Sequence, residues 1–297
     1  MPRVQRPAGE SDQMKFAVIG NPIGHSLSPA LHNWVFQDLG IDAEFRKIQA
    51  HEEDLPKIAK NLRTGELHGI NVTLPHKLAI VSFLDELDDH AQTIGAVNCV
   101  AASDGRLKGY NTDWLGFAKA MEANGVSVQG KGCLILGAGG TARAVAYAVA
   151  QSEPASITIA NRSLEKAEFL ASWVNTINSS VEVGMVTPEH LNTLTHVQIV
   201  INCTSLGMTP HIDTSPFVPH DLGKNHLLVD SVYSPPITKF LAHGRNAGAR
   251  TVGGLDMFIY QGLASLDLWL AKPVSQQVDF RGISTYLEDQ LMEASLS

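Results

Sequence analysis

Leu134-Ile-Leu-Gly-Ala-Gly-Gly-Thr-Ala-Arg143, followed by Ile157-Thr-Ile-Ala-Asn-Arg-Ser163, decides how this chain is read. The first stretch is an apolar strand running into a glycine-rich turn and then a helix. Gly137 permits the tight turn, Gly139 lets backbone approach a pyrophosphate, and Ala142 takes the small-residue position where helix packs on strand. The second stretch reads as the next strand. Its end carries Asn161, Arg162 and Ser163 where a reader of the ribose 2′-hydroxyl would place an acid. An arginine there, with Lys166 one turn on, suits a 2′-phosphate, so the expected cofactor is NADP(H). The loop lies mid-chain, so the segment before it must have its own task.

From Gly132 to about Gly253 the chain reads as repeated strand–helix units: strands at Cys133–Leu136, Ser156–Ala160, Val181–Met185, Val197–Asn202, Leu227–Ser231 and Ala249–Val252. This is the doubly wound Rossmann pattern. The preceding segment also alternates. Lys15–Gly20, a strand around Phe45–Ile48 and Gly69–Leu74 are separated by helices from Ser28 and over Glu53–Leu62, so an α/β unit is expected. Ser28 reads as an N-cap with Pro29 at the first helical position. A helix is expected through Leu78–Leu87. Asp104-Gly105 then joins two apolar runs as a hairpin, which puts Asn98 opposite Asn111 with Asp113 on the same face. The helix Trp114–Asn124 links the two units. The last helix expected, Asp256–Leu270, has no strand after it and is expected to pack back on the first unit. The expected division is a flexible leader over 1–13, a substrate unit over 14–113 and 255–297, and a dinucleotide unit over 114–254.

The chain has 297 residues and a formal charge of −8, which disfavours nucleic acid and anionic membranes as partners. Cys99, Cys133 and Cys203 are scattered, which suits a reducing compartment and no cysteine-based metal site. Residues 1–13 lack the apolar core of a signal peptide, and no apolar run approaches the roughly 20 residues of a spanning helix. A cytoplasmic enzyme is expected, as monomer or homodimer. No zinc motif, short-chain-dehydrogenase Tyr/Lys pair, nucleophile elbow or Walker loop is present.

Chemistry concentrates in a few places. In Asn71-Val-Thr-Leu-Pro-His-Lys77, Pro75 is expected to open a helix with Lys77 in its first turn. A cation there opposes the helix dipole and is biased toward proton exchange; the plainer reading is a solvated surface lysine. Asp113 could balance it, or simply cap the next helix. Ser26 and Ser28 suit a carboxylate at a helix start, or a cap alone. The segments Asn202–Met208 and Asp230–Thr238 sit where such folds keep ligands, or are turn chemistry. Met257 and Gln261 share one helix face.

Taken in order, Gly20–Pro29, Asn71–Lys77, Gly95–Asn98, Asn111–Asp113, Gly137–Arg143, Asn161–Ser163, Asn202–Met208 and Gly253–Met257 with Gln261 resemble the shikimate dehydrogenase family. The resemblance implies NADP-dependent interconversion of 3-dehydroshikimate and shikimate. It implies Lys77 as the acid/base and Asp113 as its partner. Ser26, Ser28 and Tyr233 would take the carboxylate, while Asn71, Thr73, Asn98, Asp113 and Gln261 would contact the ring. Gly137, Ala138, Gly139, Gly140, Thr141 and Ala142 would form the pyrophosphate loop. Asn161, Arg162, Ser163 and Lys166 would clamp the 2′-phosphate, with Thr204, Ser205, Gly254 and Met257 completing the cofactor site. Cys203 often corresponds to alanine in the family, and Lys166 to arginine. A quinate/shikimate enzyme of relaxed cofactor choice, a non-catalytic regulator on this fold, and an NADP enzyme for folate or aminoacyl substrates are the rivals.

Overall fold

The computed structural model describes residues 13–187, 195–216 and 221–296; residues 1–12 of the expected leader lie outside them. Two six-stranded sheets organise the chain.

The first sheet uses β1 (Met14–Gly20), β2 (Ala43–Gln49), β3 (Gly69–Val72), β4 (Glu86–Leu87), β5 (Cys99–Ser103) and β6 (Arg106–Tyr110), in the order β2-β1-β3-β5-β6-β4. β1 pairs in parallel with β2 and β3, and β5 runs antiparallel to both β3 and β6. The turn at Asp104 and Gly105 has φ of 50° and 75°. Two left-handed residues suit the twist of a two-residue hairpin. The register pairs Cys99 with Tyr110, so Asn98 and Asn111 meet one step further on. Period-two alternation divides the core: Ala17 and Ile19 face one cluster, Phe16 and Val18 the other. Around this sheet lie α1 (Ser28–Asp38), α2 (Leu55–Thr64) and α3 (Asp89–Ile94).

α4 (Asp113–Ala123) leads into the second sheet, built from β7 (Gly132–Leu136), β8 (Ser156–Ala160), β9 (Glu182–Val186), β10 (Ile199–Asn202), β11 (Leu227–Asp230) and β12 (Arg250–Val252). Every pairing is parallel and the order is β12-β11-β10-β7-β8-β9. This is the doubly wound arrangement, whose strand order reverses between β7 and β10, where such sheets bind ligands. Cys133 and Ile135 face one apolar layer and Leu134 and Leu136 the other. α5 (Gly140–Gln151), α6 (Leu164–Ile177) and α7 (Lys239–Asn246) complete the layers.

α8 (Leu255–Leu270) leaves the second sheet and packs Phe258, Ile259, Leu263 and Leu266 against the Phe16 side of the first. α4 and α8 cross closely at Gly116, where a Cβ would meet the Met257 carbonyl oxygen at 2.7 Å.

Four expectations need correction. Ser28 is the first helical residue rather than the cap, which is Leu27, because the Ser26 hydroxyl takes the Ser28 N–H. Pro75 opens no α-helix: residues 74–78 form turns and a 3-10 helix spans Ala79–Phe83. The Lys77 carbonyl accepts the Val97 N–H, which ties this segment to the neighbouring β5 side instead of to a helical turn. The segment expected to be helical up to Leu87 ends as β4, drawn onto β6 and fixed by the Arg63–Asp85 ion pair. A further helix, α9 (Phe280–Leu296), follows α8, and its Ile283, Leu287 and Leu291 are buried at helical spacing.

Gly69 permits Trp269 to lie against β3: an added Cβ would fall 2.4 Å from two indole ring atoms, while the indole N–H donates to the Val100 carbonyl. Gly69→Ala should therefore lower stability by about 1–3 kcal/mol through overpacking, read as a depressed urea midpoint at unchanged slope.

Candidate active site

The β3–turn segment and the start of α4 bring Lys77 and Asp113 together across 36 residues of sequence. Lys77 Nζ donates to Asp113 Oδ2 at 2.6 Å, and the two residues are only 8% and 5% exposed. A buried ion pair stands only if its remaining polar atoms are satisfied, and here those of the carboxylate residue are. Asn98 Nδ2 donates to Asp113 Oδ1 at 2.8 Å, and the Asp113 N–H donates to Asn111 Oδ1. Asn98 Nδ2 also reaches Thr112 Oγ1 and Gln261 Oε1, and its Oδ1 accepts the Thr112 N–H at 2.6 Å. The hairpin register thus delivers Asn98, Asn111 and Asp113 to one place. Lys77 opens no helix of its own: its charged partner is the Asp113 carboxylate, and the N-terminal residues of α5, Gly140 and Thr141, adjoin it from the other sheet unit.

Behind this pair lies a second buried layer. Asn71 donates from Nδ2 to the Asn98 carbonyl and to Ser265 Oγ, and its Oδ1 lies 3.1 Å from His32 Nε2. The side chain of Asn71 is therefore spent on protein partners. Thr73, half-buried at the end of β3, stands over Gly20, whose Cβ would lie 2.5 Å from its methyl.

Beside the first sheet, Ser26 donates to Ser28 Oγ at 3.1 Å. Lys47 Nζ holds the Gly24 carbonyl of the same loop at 2.5 Å. Burial raises the Tyr233 hydroxyl above its usual range, opposed by hydrogen bonds from Leu27 backbone and Ser26. Its ring stacks on Phe258 at 4.4 Å.

The glycine loop faces the pair. Gly137 has φ of 111°, and its Cβ would crowd Thr204 and Cys203. Ala142 is fully buried, Ala138 packs against the same core, and Gly139 has open space where a Cβ would stand. Thr141 Oγ1 lies 3.4 Å from Lys77 Nζ. At the end of β8, Asn161 Nδ2 donates to the Ser163 carbonyl, and Ser163 caps α6 by accepting the Lys166 N–H. Arg162 and Lys166 are exposed, and neither has a carboxylate partner among the described residues.

The loop after β10 is an Asx turn, with Asn202 Oδ1 accepting from Thr204 N–H and Oγ1; Ser205 is exposed beside it. Asn202 is held by Asp230, which also accepts from Val232 N–H and, at 2.6 Å, from Thr238 Oγ1. Burial pushes the Asp230 carboxyl up to about 6, against the pull of those three donors. Gly254 packs its Cα face on the Ser231 carbonyl, and Met257 is buried against the second sheet.

Sequence reasoning missed His32, Thr112 and Ser265. Ser265 lies four residues after Gln261, on the same helix face, and Thr112 stands between two residues already singled out. His32 carried no such sign, being one apolar-looking position among the α1 core residues.

An amine–carboxylate pair buried against a dinucleotide-type loop defines a nicotinamide-dependent oxidoreductase. Residues 18–100 match the family model described as shikimate dehydrogenase substrate binding domain, and residues 119–230 the one described as shikimate/quinate 5-dehydrogenase. A shikimate dehydrogenase (NADP(+)) of Bacillus cereus is 40% identical over 260 residues, covering 86% of this chain and 92% of the relative. A shikimate dehydrogenase crystal structure in complex with NADP+ superposes with TM-score 0.86 at 34% identity, covering 96% of this chain and 99% of that one. A ligand-free 5-ketofructose reductase of Gluconobacter gives TM-score 0.82 at 32% identity, over 93% and 98% of the two chains. The chain belongs to the shikimate dehydrogenase family. No described helix is long and apolar enough to cross a membrane.

Burial drives the His32 imidazole from 6.5 down to about 3, the Asn71 hydrogen bond acting the other way. Its stabilising contribution is complete above the unfolded value and is withdrawn as pH falls below it. Asp230 has the opposite sign, since its raised carboxyl favours the fold at low pH and less so as pH rises through about 6. Relative to the native chain, His32→Gln should thus gain up to about 1.4 kcal/mol per pH unit as pH falls below 6.5, measured as the pH dependence of the difference in urea-unfolding free energy.

Proposed function

We propose that the chain catalyses the reversible NADPH-dependent reduction of 3-dehydroshikimate to shikimate, the oxidoreductase step leading toward chorismate and the aromatic amino acids. The observation that carries this reading is the buried Lys77–Asp113 pair, 2.6 Å apart and in reach of the glycine loop, in a chain of this family. The domain assignment is 14–113 with 255–297 for substrate and 114–254 for NADP(H).

The loop residues fit the dinucleotide. Gly139 leaves room for close backbone approach, and the first turn of α5 presents unpaired N–H groups to a pyrophosphate. Gly137, Ala138, Gly140, Thr141 and Ala142 shape that turn. Arg162 and Lys166, exposed beside Asn161 and Ser163, supply positive charge for a 2′-phosphate. Thr204, Ser205, Gly254 and Met257 line the side toward the nicotinamide. Bound NADPH supplies the hydride that reduces the ring carbonyl carbon.

The protein's part is position and proton. Lys77, as ammonium, donates from Nζ to the oxygen that becomes the alkoxide, and in the reverse direction takes that proton back. Asp113 holds the ammonium with one oxygen and, through the Asn98–Gln261 cluster, fixes where the neighbouring ring hydroxyls bind. Thr73 contributes a further ring contact, and Asn71 acts from behind by holding Asn98. Ser26, Ser28 and Tyr233 receive the carboxylate through hydroxyls. Such a site rejects analogues lacking a matching hydroxyl, because its buried partners would be left unpaired. Each chain carries both halves of the site, so monomer and homodimer are equally competent. Three free thiols suit the reducing cytoplasm.

Lys77→Ala should lower kcat by about 10²–10⁴ while leaving the shikimate dissociation constant within a few-fold. Turnover and equilibrium titration check this, and near-native turnover would remove Lys77 from the proton step. Arg162→Ala should raise the KM for NADPH roughly tenfold or more and leave NADH use nearly unchanged; equal loss with both cofactors would make Arg162 structural. Comparing kcat/KM for shikimate and quinate with each cofactor tests the substrate assignment itself.

A further inference from the structure

Two observations tie the glycine loop to the proton donor rather than to the cofactor alone. Gly140 abuts the aliphatic stem of Lys77: a Cβ built on it would lie 3.2 Å from Lys77 Cδ and 3.3 Å from its Cβ. Thr141, the next residue, brings its hydroxyl to 3.4 Å from Lys77 Nζ. The ammonium has three donors. Asp113 Oδ2 takes one at 2.6 Å, Thr141 Oγ1 lies toward a second, and one is left for a substrate oxygen. The carboxylate contact is short and the hydroxyl contact long, so Thr141 guides the amine rather than clamping it.

Gly140 and Thr141 are also the first residues of α5, where a bound pyrophosphate would lie. The same hydroxyl that reaches Lys77 therefore stands at the anion-binding end of the helix. Lys77 comes from the turn after β3, so the contact crosses from one sheet unit to the other.

We propose that Thr141 is a positioning residue for Lys77: its hydroxyl, beside the side-chain-free shoulder left by Gly140, aims the ammonium and couples the geometry of the proton donor to the cofactor loop. This rests on the proposed function for its catalytic consequence, but the contact itself exists independently of turnover. A residue that only bound phosphate would change cofactor affinity. A positioning residue changes the amine.

Thr141→Val removes the hydroxyl at nearly constant volume, and Thr141→Ser restores it. In the cofactor-free chain, reductive methylation of Lys77, followed by peptide mass spectrometry, should run faster in Thr141→Val than in the native protein and return to the native rate in Thr141→Ser. In steady state, Thr141→Val should lower kcat about tenfold, as a small misplacement of a reacting group does. NADPH affinity, titrated by nicotinamide fluorescence, should stay within about threefold, and Thr141→Ser should recover kcat. Gly140→Ala, whose methyl presses on the lysine stem, should give the same reduction in kcat. Unchanged Lys77 labelling in Thr141→Val overturns the proposal, as does unchanged kcat, or a loss confined to NADPH affinity. A native protein without shikimate oxidation would instead refute the proposed function, while the labelling comparison still decides the contact.

Discussion

The Lys77–Asp113 ion pair is the constraint around which the rest of the site is arranged. Two charges removed from water cost several kcal/mol each unless geometry and hydrogen bonding offset the loss. The surrounding chemistry supplies that offset. Asn98 serves one carboxylate oxygen and Lys77 the other, Asn111 receives the backbone amide, and Thr112 and Gln261 satisfy what remains of Asn98. Because each of these groups is occupied by a neighbour, displacing one leaves others unpaired in a dry interior. The pair therefore requires together the hairpin register set by the Asp104-Gly105 turn, the start of α4 and the rotation of α8 that brings Gln261 to Asn98.

The doubly wound sheet was legible because its signal is local. An apolar strand, a glycine turn and a small-residue helix follow each other within a dozen positions, and β8 begins and ends where its pattern indicates. The hairpin was legible for the same reason, since Asp104-Gly105 specifies its own turn. Lys77 was harder. The pattern Pro75-His-Lys77 suggests a helix start, yet His76 bonds the Ala50 carbonyl and the Lys77 carbonyl bonds Val97, both distant in sequence. Tertiary hydrogen bonds override the local preference, so the helix N-terminus beside the lysine is that of α5 from the other sheet unit rather than its own.

β4 and His32 mark the other edge of what a single sequence carries. β4 is two residues long and exists only because β6 offers it a partner. His32 has its ring packed 4.2 Å from that of Phe45 and its Nδ1 without a partner among the described residues, so an imidazole occupies a place that looks apolar. Its use is visible only once Asn71 is seen to need an anchor. α9 stood in plain view by contrast, with Phe280, Ile283, Leu287 and Leu291 at helical spacing.

α8 belongs to both halves of the molecule at once. Met257 sits in the core of the second sheet, Phe258, Ile259 and Leu263 sit in the core of the first, and Gly116 lets α4 press directly on its backbone. The two units are consequently not interchangeable parts. A chimera that took its dinucleotide unit from one relative and its substrate unit from another would have to divide a helix whose adjacent residues are packed in different cores. Recombination in this architecture has to carry α4 and α8 together, so the crossing at Gly116 is a contact that both helices must inherit from one parent.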